Sequence, residues 1–466
     1  VDSGVSCATE SIHESIHLFM QAHAESIRKR LAQGPATPRQ LIDLIGFSQA
    51  SLSRALVHLG PDLVSTGAAR SIQYFLKDPS RGLPDLSIHR VNRDGALEHL
   101  GHMVPVRPYG FVTFPANGKA SHSEGLPWWL HDMRLQGYLG RAYAQKHARM
   151  LGLPESVSEW NDTHAIQAML RHGHDMVGNL LIGEHSVDCF LQATEIVPIA
   201  QSDKKSQYAQ LARLAANGEA AGSSAGGEQP KFTAYSRLGN GSGHVIVKFS
   251  EAEVGPVAER WRDLLLAEHF ALMSLHEAGF SPARSNIIDT ADQRFLEVVR
   301  FDRIGATGRR GMHSLAALDA AFIGSGNGSW PTITRELVAE GCVDSASFKG
   351  AAMLWAFGTL IGNTDMHLGN LSFMDDQGPP YSLAPAYDMT PMGFRPRSSG
   401  GLSDQLSPPR ISLDVPGAIW HQALSVADTF FARVKSSHQF SERFAPCVDA
   451  LNTHLSRARE VLRRLA

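Results

Sequence analysis

The chain has 466 residues, 43% of them apolar and 19% charged, with a net charge of -3, which fits a globular protein of two or three domains and excludes both a disordered chain and a uniformly basic nucleic-acid binder. Its 4 cysteines, Cys7, Cys189, Cys342 and Cys447, are widely spaced, which excludes a disulfide scaffold, a Cys-pair zinc site and a thiol redox motif and predicts a cytoplasmic protein. No apolar run reaches the length of a membrane span, so no membrane partner is expected.

Ile12, Ile16, Phe19, Met20, Ile27 and Leu31 recur mostly at helical spacing and predict a helix over Ser11–Ala32, stopped by Gly34-Pro35. Thr37 is placed to cap a second helix with Pro38 in its first turn, with Leu41, Leu44 and Ile45 facing inward and Gly46 turning the chain. Ser48 then caps a third helix, Gln49 to Leu59, whose Leu52, Leu56 and Leu59 make the buried stripe. Gln49, Ser51, Ser53, Arg54 and His58 are left for the outer face, the face a helix-turn-helix presents to a DNA groove. Leu63-Val64 and Ile72 to Leu76 read as a hairpin with Arg70 near its tip, the wing of a winged helix. Between Ser26 and Asp78, Arg28, Lys29, Arg30, Arg39, Arg54, Arg70 and Lys77 outnumber Asp43, Asp62 and Asp78, a local excess of the sign that phosphate contacts need. Residues 1–80 are therefore expected to be a winged helix-turn-helix DNA-binding domain; protein docking is the other known use of such a module.

Pro79 to Pro84 reads as a linker, Gly101 to Phe114 has strand composition, and Gly137 to Leu151 is a helix pattern, so the body is α+β. Leu126-Pro127-Trp128-Trp129-Leu130 is read as core, and Gly173-His174-Asp175-Met176-Val177-Gly178 as a turn without catalytic role. The histidines lack the paired spacing of zinc ligands.

Chemistry concentrates in the second half. Ser223-Ser224-Ala225-Gly226-Gly227-Glu228-Gln229-Pro230-Lys231 is a small-residue loop whose glycines allow close approach of backbone N–H groups to phosphate, although it lacks a Walker ending and a flexible loop would look the same. His244 to Phe249 is an apolar strand interrupted by Lys248, and a buried ammonium calls for an anionic partner. Glu268 and Glu259, both on a helix expected from about Val257 to Ala278, are the candidates. The strand Phe295 to Val299 leads into Phe301-Asp302-Arg303, where a kinase hinge would offer the backbone of Val299 and Phe301 to adenine; a plain core strand is the alternative. Asp365 followed five residues later by Asn370, between apolar segments, has the spacing of a kinase catalytic base and its magnesium ligand. Asp388, after a short hairpin, supplies a second carboxylate where kinases place the other magnesium ligand.

The order Ser-x-Ala-Gly…Pro-Lys (from Ser223 to Lys231), the strand lysine Lys248, Phe301-Asp302-Arg303, Asn363-Thr364-Asp365-x-His367-x-x-Asn370 and Ala384-Pro385-x-Tyr387-Asp388 resembles the HipA family of bacterial toxin serine/threonine kinases over most of the chain after residue 80. The resemblance implies an α+β, two-lobed protein-kinase-like fold with a mixed α/β N-lobe over 81–300 and a helical C-lobe over 301–466. It further implies that Lys248 binds ATP phosphates with Glu268 in support, and that Ser223, Ser224, Gly226 and Gly227 cover the nucleotide. Asp365 would be the base, His367 would support its loop, and Asn370 with Asp388 would bind Mg2+. The family autophosphorylates a serine of the loop; Ser223 aligns best, with Ser224 beside it. Members commonly carry a lysine before the metal-binding Asn, where this chain has Gly369. The fused winged helix resembles the YjjJ/HipH-like branch. Expected partners are ATP, a protein substrate such as an aminoacyl-tRNA synthetase, and DNA, with a homodimer suiting a palindromic operator. A kinase-fold regulator that binds nucleotide without transferring phosphate is the alternative from another class, and a small-molecule phosphotransferase is a third reading. Arg395 to Gly401 reads as an activation-type loop or a disordered one, and Ala418 to Leu465 as helices with a basic end.

Overall fold

The computed structural model describes residues 20–46, 48–193, 196–218, 225–239 and 241–465. The start of the first expected helix, 11–19, and the serines Ser223 and Ser224 lie outside the described residues. Helix α1 runs over 20–31 and buries Met20, Ala24, Ile27 and Leu31. Helix α2 (Pro38–Ile45) begins at Thr37, whose hydroxyl and the Gln40 side chain cap each other's backbone, and Gly46 ends it in the left-handed region at φ 69°, which glycine enters without a Cβ penalty. Helix α3 (Gln49–Leu59) is capped by Ser48 and buries Leu52, Ala55 and Leu59 against α1. Leu44, expected inward, is 50% exposed, because the last turn of the short α2 lies at the surface with Asp43 and Gly46.

Strands β1 (Leu63–Thr66) and β2 (Gln73–Leu76) form the expected hairpin. The expected linker after it is instead a tether. Asp78 caps a 3-10 turn, Pro79–Arg81, and Arg81 lies 4.3 Å from the Phe111 ring centre while donating to Thr163 Oγ1 and the Gly110 carbonyl. Val64 and Phe75 of the hairpin share a core with Val104, Val106 and Val112 of the next sheet, and the Arg107 N–H donates to the Leu76 carbonyl at 2.8 Å. Proline, serine and glycine mark a turn as readily as a linker, and composition does not reveal the apolar partners that fix this one.

The stretch expected as one N-lobe, 81–300, contains two sheets with separate cores. The first is built from β3 (Leu86–Val91), β4 (Leu97–Pro105), β5 (Phe111–Pro115), β6 (Ser121–Ser123) and, after helices α4 (Gly137–Leu151) and α5 (Asp162–His172), β7 (Leu180–Ile182), in the order β6-β5-β4-β3-β7. Helices α4 and α5 close its core around Ile88, Met103, Phe111, Tyr143 and Ile166, and α6 (Glu184–Gln192) follows.

The second sheet follows α7 (Lys204–Ala216). It consists of β8 (Lys231–Leu238), β9 (Gly241–Phe249), β10 (Ser285–Asp289) and β11 (Arg294–Val299), ordered β10-β11-β9-β8 and antiparallel throughout, with α8 (Pro256–Glu277) between β9 and β10. Both faces are covered. Tyr208 and Ala212 of α7 pack on Phe232, Val245, Val247 and Phe295, while Leu265 of α8 packs on Leu296 and Val298.

A small hairpin, β12 (Arg303–Ile304) and β13 (Gly308–Arg309), leads through β14 (Gly311–Ser314) into α9 (Leu315–Leu318), α10 (Trp330–Ala339) and α11 (Ser345–Leu360). Strands β15 (Ser372–Asp375) and β16 (Ser382–Leu383) join β14 in a three-stranded sheet, and α12 (Gly417–Ser436) and α13 (Ala445–Leu465) end the chain. The outer face of α8, with Leu264, Ala271 and Leu275, belongs to this helical core beside Leu315, Phe357 and Phe430. Position 300 therefore divides the sequence without separating two cores. Among the described residues no helix is long and apolar enough to cross a membrane.

Candidate active site

Strand alternation aims the first group. Val245, Val247 and Phe249 of β9 face α7, so Lys248, one residue out of phase, faces α8 and the cleft. The sequence shows no clean alternation here because the strand is covered on both faces. Lys248 Nζ lies 2.8 Å from both carboxylate oxygens of Glu268 on α8 and also contacts Asp388. Thr390 Oγ1 donates to Glu268 at 2.7 Å. Burial alone would drive the Lys248 ammonium toward neutrality, but Asp388 and Glu268 more than reverse this and raise its pKa. Burial likewise opposes ionisation of Asp388, and Lys248 and Lys231 hold its carboxyl below the usual carboxylate range. The other candidate, Glu259, pairs with Arg443 at 3.0 Å instead.

The polar loop between α11 and β15 supplies the second group. Asn363, 5% exposed, accepts the Asp365 N–H at 2.9 Å and donates to the Asp388 carbonyl at 3.2 Å, tying the two acidic loops together. Asn370 Nδ2 donates to the Asp365 carbonyl at 2.8 Å. Both bonds to Asp365 use its main chain, leaving the carboxylate to line the cleft. Asp388 has φ 55°, a left-handed conformation costing on the order of 1 kcal/mol for a side chain other than glycine, and such strain clusters at functional sites. His367 Nδ1 accepts the Gly369 N–H at 3.0 Å and its carbonyl accepts Trp330 Nε1 at 3.1 Å. These contacts brace the loop. A Cβ at Gly369 would come within 3.0 Å of the His367 ring, so the glycine and this ring position go together.

A second ammonium escaped the sequence reading. Lys231 stands directly opposite Lys248 in the β8–β9 register and is 3% exposed. Burial pushes its pKa down to about 8, with Lys248 adding to the depression and Asp388 and Glu268 opposing it. Its Nζ donates to the Gly226 carbonyl, so it pins the described end of the glycine loop. Gly227 (φ 91°) lies against Gly137 at the start of α4, where a Cβ on Gly137 would meet the Gly227 carbonyl oxygen at 2.5 Å. Like charges facing across a strand pair repel, and it is the β8–β9 register that sets the two lysines opposite each other.

These groups surround a cavity of about 520 Å³, within the usual size of a small-molecule site. Lys231, Lys248, Glu268, Asp365, Asn370 and Asp388 line one side, with Gly226 and Gly227. Val177, Ile246, Val298, Val299, Phe301 and Met312 give it an apolar side. Val299 donates its N–H to the Arg284 carbonyl at 2.8 Å, so it cannot also be the donor to a base. The turn 173–178, expected to have no catalytic role, contributes Val177 to this wall.

The outer face of α3 lies in a separate part of the fold. Gln49, Ser53 and Arg54 are exposed, Ser51 is half-buried, and Arg70 is exposed before β2. Arg54 Nε donates to the Ala50 carbonyl of its own helix at 3.3 Å.

Comparison with known proteins gives two family matches: the YjjJ-like toxin middle domain over residues 83–191 and the HipA-like C-terminal domain over residues 223–460. The chain is 36% identical over 437 residues to Toxin YjjJ of Escherichia coli (strain K12), covering 93% of this chain and 98% of that protein. Among solved structures, HipA of Shewanella oneidensis MR-1, determined with HipB and operator DNA, superposes with a TM-score of 0.51 at 16% identity, covering 80% of this chain and 97% of that one.

Proposed function

The chain belongs to the HipA-like toxin family, in its YjjJ-like branch, and from that premise we propose that its cleft transfers the γ-phosphoryl group of ATP to a serine or threonine hydroxyl of a protein. The observation that carries this reading is the convergence of Lys248, Glu268, Asp365, Asn370 and Asp388 on one cavity. Phosphoryl transfer asks mainly for positioning and charge stabilisation. Lys248, held by Glu268, and Lys231 draw in the phosphates, and the Asp365 carboxylate orients the acceptor hydroxyl and receives its proton. The apolar wall takes the adenine, with the Phe301 backbone and the Val299 carbonyl as hinge contacts. Asn370, whose amide nitrogen donates to the Asp365 carbonyl, would offer its side-chain oxygen with Asp388 as Mg2+ ligands, and two hard oxygen donors suit an ion that keeps several waters. Bound there, Mg2+ would neutralise phosphate charge.

Ser223 or Ser224 is the proposed autophosphorylation site, since the added charge and bulk would oppose a loop lying over phosphates. The protein substrate is proposed to be a translation component such as an aminoacyl-tRNA synthetase. Mass-spectrometric mapping of the full chain after incubation with MgATP is expected to find phosphate on one of these two serines. An unmodified chain with no ADP formed would favour the second reading, a nucleotide-binding regulator, which Gly369 at the usual lysine position supports.

The N-terminal region is proposed to bind DNA through Gln49, Ser51, Ser53, Arg54 and Arg70. Arg54→Ala is expected to weaken operator binding about 10-fold, and Arg70→Ala to lower the salt dependence by about one counterion. Gel shifts across a salt series measure both; parent-like binding by both variants would make this face a protein-docking surface instead.

A further inference from the structure

The Phe-Asp-Arg segment after β11 makes a buried ion cluster that the phosphate chemistry does not use. Arg300, Asp302 and Arg303 are 4%, 5% and 8% exposed. Asp302 accepts from Arg300 and Arg303, each at 2.8 Å, and Arg303 reaches Asp175 at 2.9 Å. Arg300 lies 3.3 Å from the same Asp175. The cluster also grips the backbone of the turn 173–178. Asp302 accepts the Gly178 N–H at 3.1 Å, Arg303 donates to the carbonyls of Met176 at 2.6 Å and Gly178 at 2.8 Å, and Arg309 donates to that of His174. Two segments more than a hundred residues apart are thereby fixed to each other, and both face the cavity: Val177 from the turn, and Val299, Phe301 and Asp302 from the hinge.

Buried ion clusters are a poor source of stability, because desolvation offsets most of the attraction, whereas they fix geometry well. An apolar contact would join the two sheets as cheaply. Resting on the reading of the cleft as an ATP site, we propose that Asp302 and its arginines are the positioning device of the adenine subsite: they latch Val177, from the region of the first sheet, against the hinge, so the spacing of the base slot is set from outside the sheet that carries Lys248. Asp302 is a positioning residue, since it acts through Val177 and the hinge backbone. The phosphate subsite, built from Lys231, Lys248 and Asp388, does not depend on it.

The test separates the two subsites by titrating the full chain calorimetrically with a non-hydrolysable MgATP analogue and with inorganic tripolyphosphate. Asp302→Asn leaves two buried guanidiniums sharing Asp175 as their one remaining carboxylate and is expected to weaken the ATP analogue about 10-fold, within the range of coupling through packed networks, while tripolyphosphate affinity stays within about 2-fold. Val177→Ala leaves every buried charge paired and keeps the test open if Asp302→Asn fails to fold; it is expected to weaken the analogue about 3-fold with the same indifference to tripolyphosphate, a loss matching a few lost methyl contacts. Parent-like analogue binding by both variants, or equal loss of both ligands, would overturn the latch and leave the cluster as structural. A parent chain that binds tripolyphosphate and ATP analogue equally would refute the base slot, and one that binds neither would remove the ATP reading beneath it.

Discussion

Lys248→Met is expected to weaken MgATP binding by at least about 100-fold, since the ammonium provides charge-assisted hydrogen bonds worth about 1.5–3 kcal/mol each. The substitution also leaves Glu268, 1% exposed, and Asp388 side by side with Lys231 as their remaining cation. Removing one partner from a buried pair costs about 3–5 kcal/mol, so the thermal midpoint of the variant should fall as well. Glu268→Gln keeps the ammonium and loses only its support, and its affinity should lie between the two. Titration calorimetry and a melting curve measure both effects. Parent-like affinity in Lys248→Met would mean that phosphate does not bind beside β9.

A tethered N-terminal region changes how regulation would operate. The hairpin β1–β2 shares its core with the sheet of β4 and β5, and that sheet's region supplies Gly137 to the glycine loop and Val177 to the cleft. Under the proposed DNA-binding reading, the α3 face and the cleft are joined through packed elements, so binding at one has a physical route to the other. Coupling along such a route is itself a free-energy difference to be measured between two states.

The parts of the site legible in the sequence were those that pack local meaning into a few residues. The spacing of Asp365 and Asn370 placed them in one loop between a helix and a strand, as found at α11 and β15. Lys248 announced itself as a cation in an apolar strand. Glu268 was distinguishable from Glu259 only through family spacing, because both sit on one amphipathic helix and the deciding fact is which face meets β9. Lys231 ends the small-residue motif and carries no local mark of a role, since its importance lies in cross-strand register with Lys248. Asp175 looked like an ordinary turn residue, and its partners lie more than a hundred positions away. Long-range pairing of this kind leaves no periodic trace in the sequence.

Asp365→Asn should carry the other large effect. The loop's bonds to residue 365 run through its main chain, so the amide can replace the carboxylate without releasing the loop, and nucleotide affinity is expected to stay within about 2-fold. Under the proposed mechanism the variant lacks the group that receives the acceptor's proton, and loss of a positioned base typically costs about 10²–10⁴-fold in rate. Transfer of label from [γ-32P]ATP to protein, followed side by side for the parent and Asp365→Asn, therefore tests the assignment of this cleft most directly. Rapid incorporation is expected in the parent and about 10³-fold slower incorporation in the variant; equal labelling of the two, or none in either despite bound nucleotide, would rule out Asp365 as the base of a phosphoryl-transfer site.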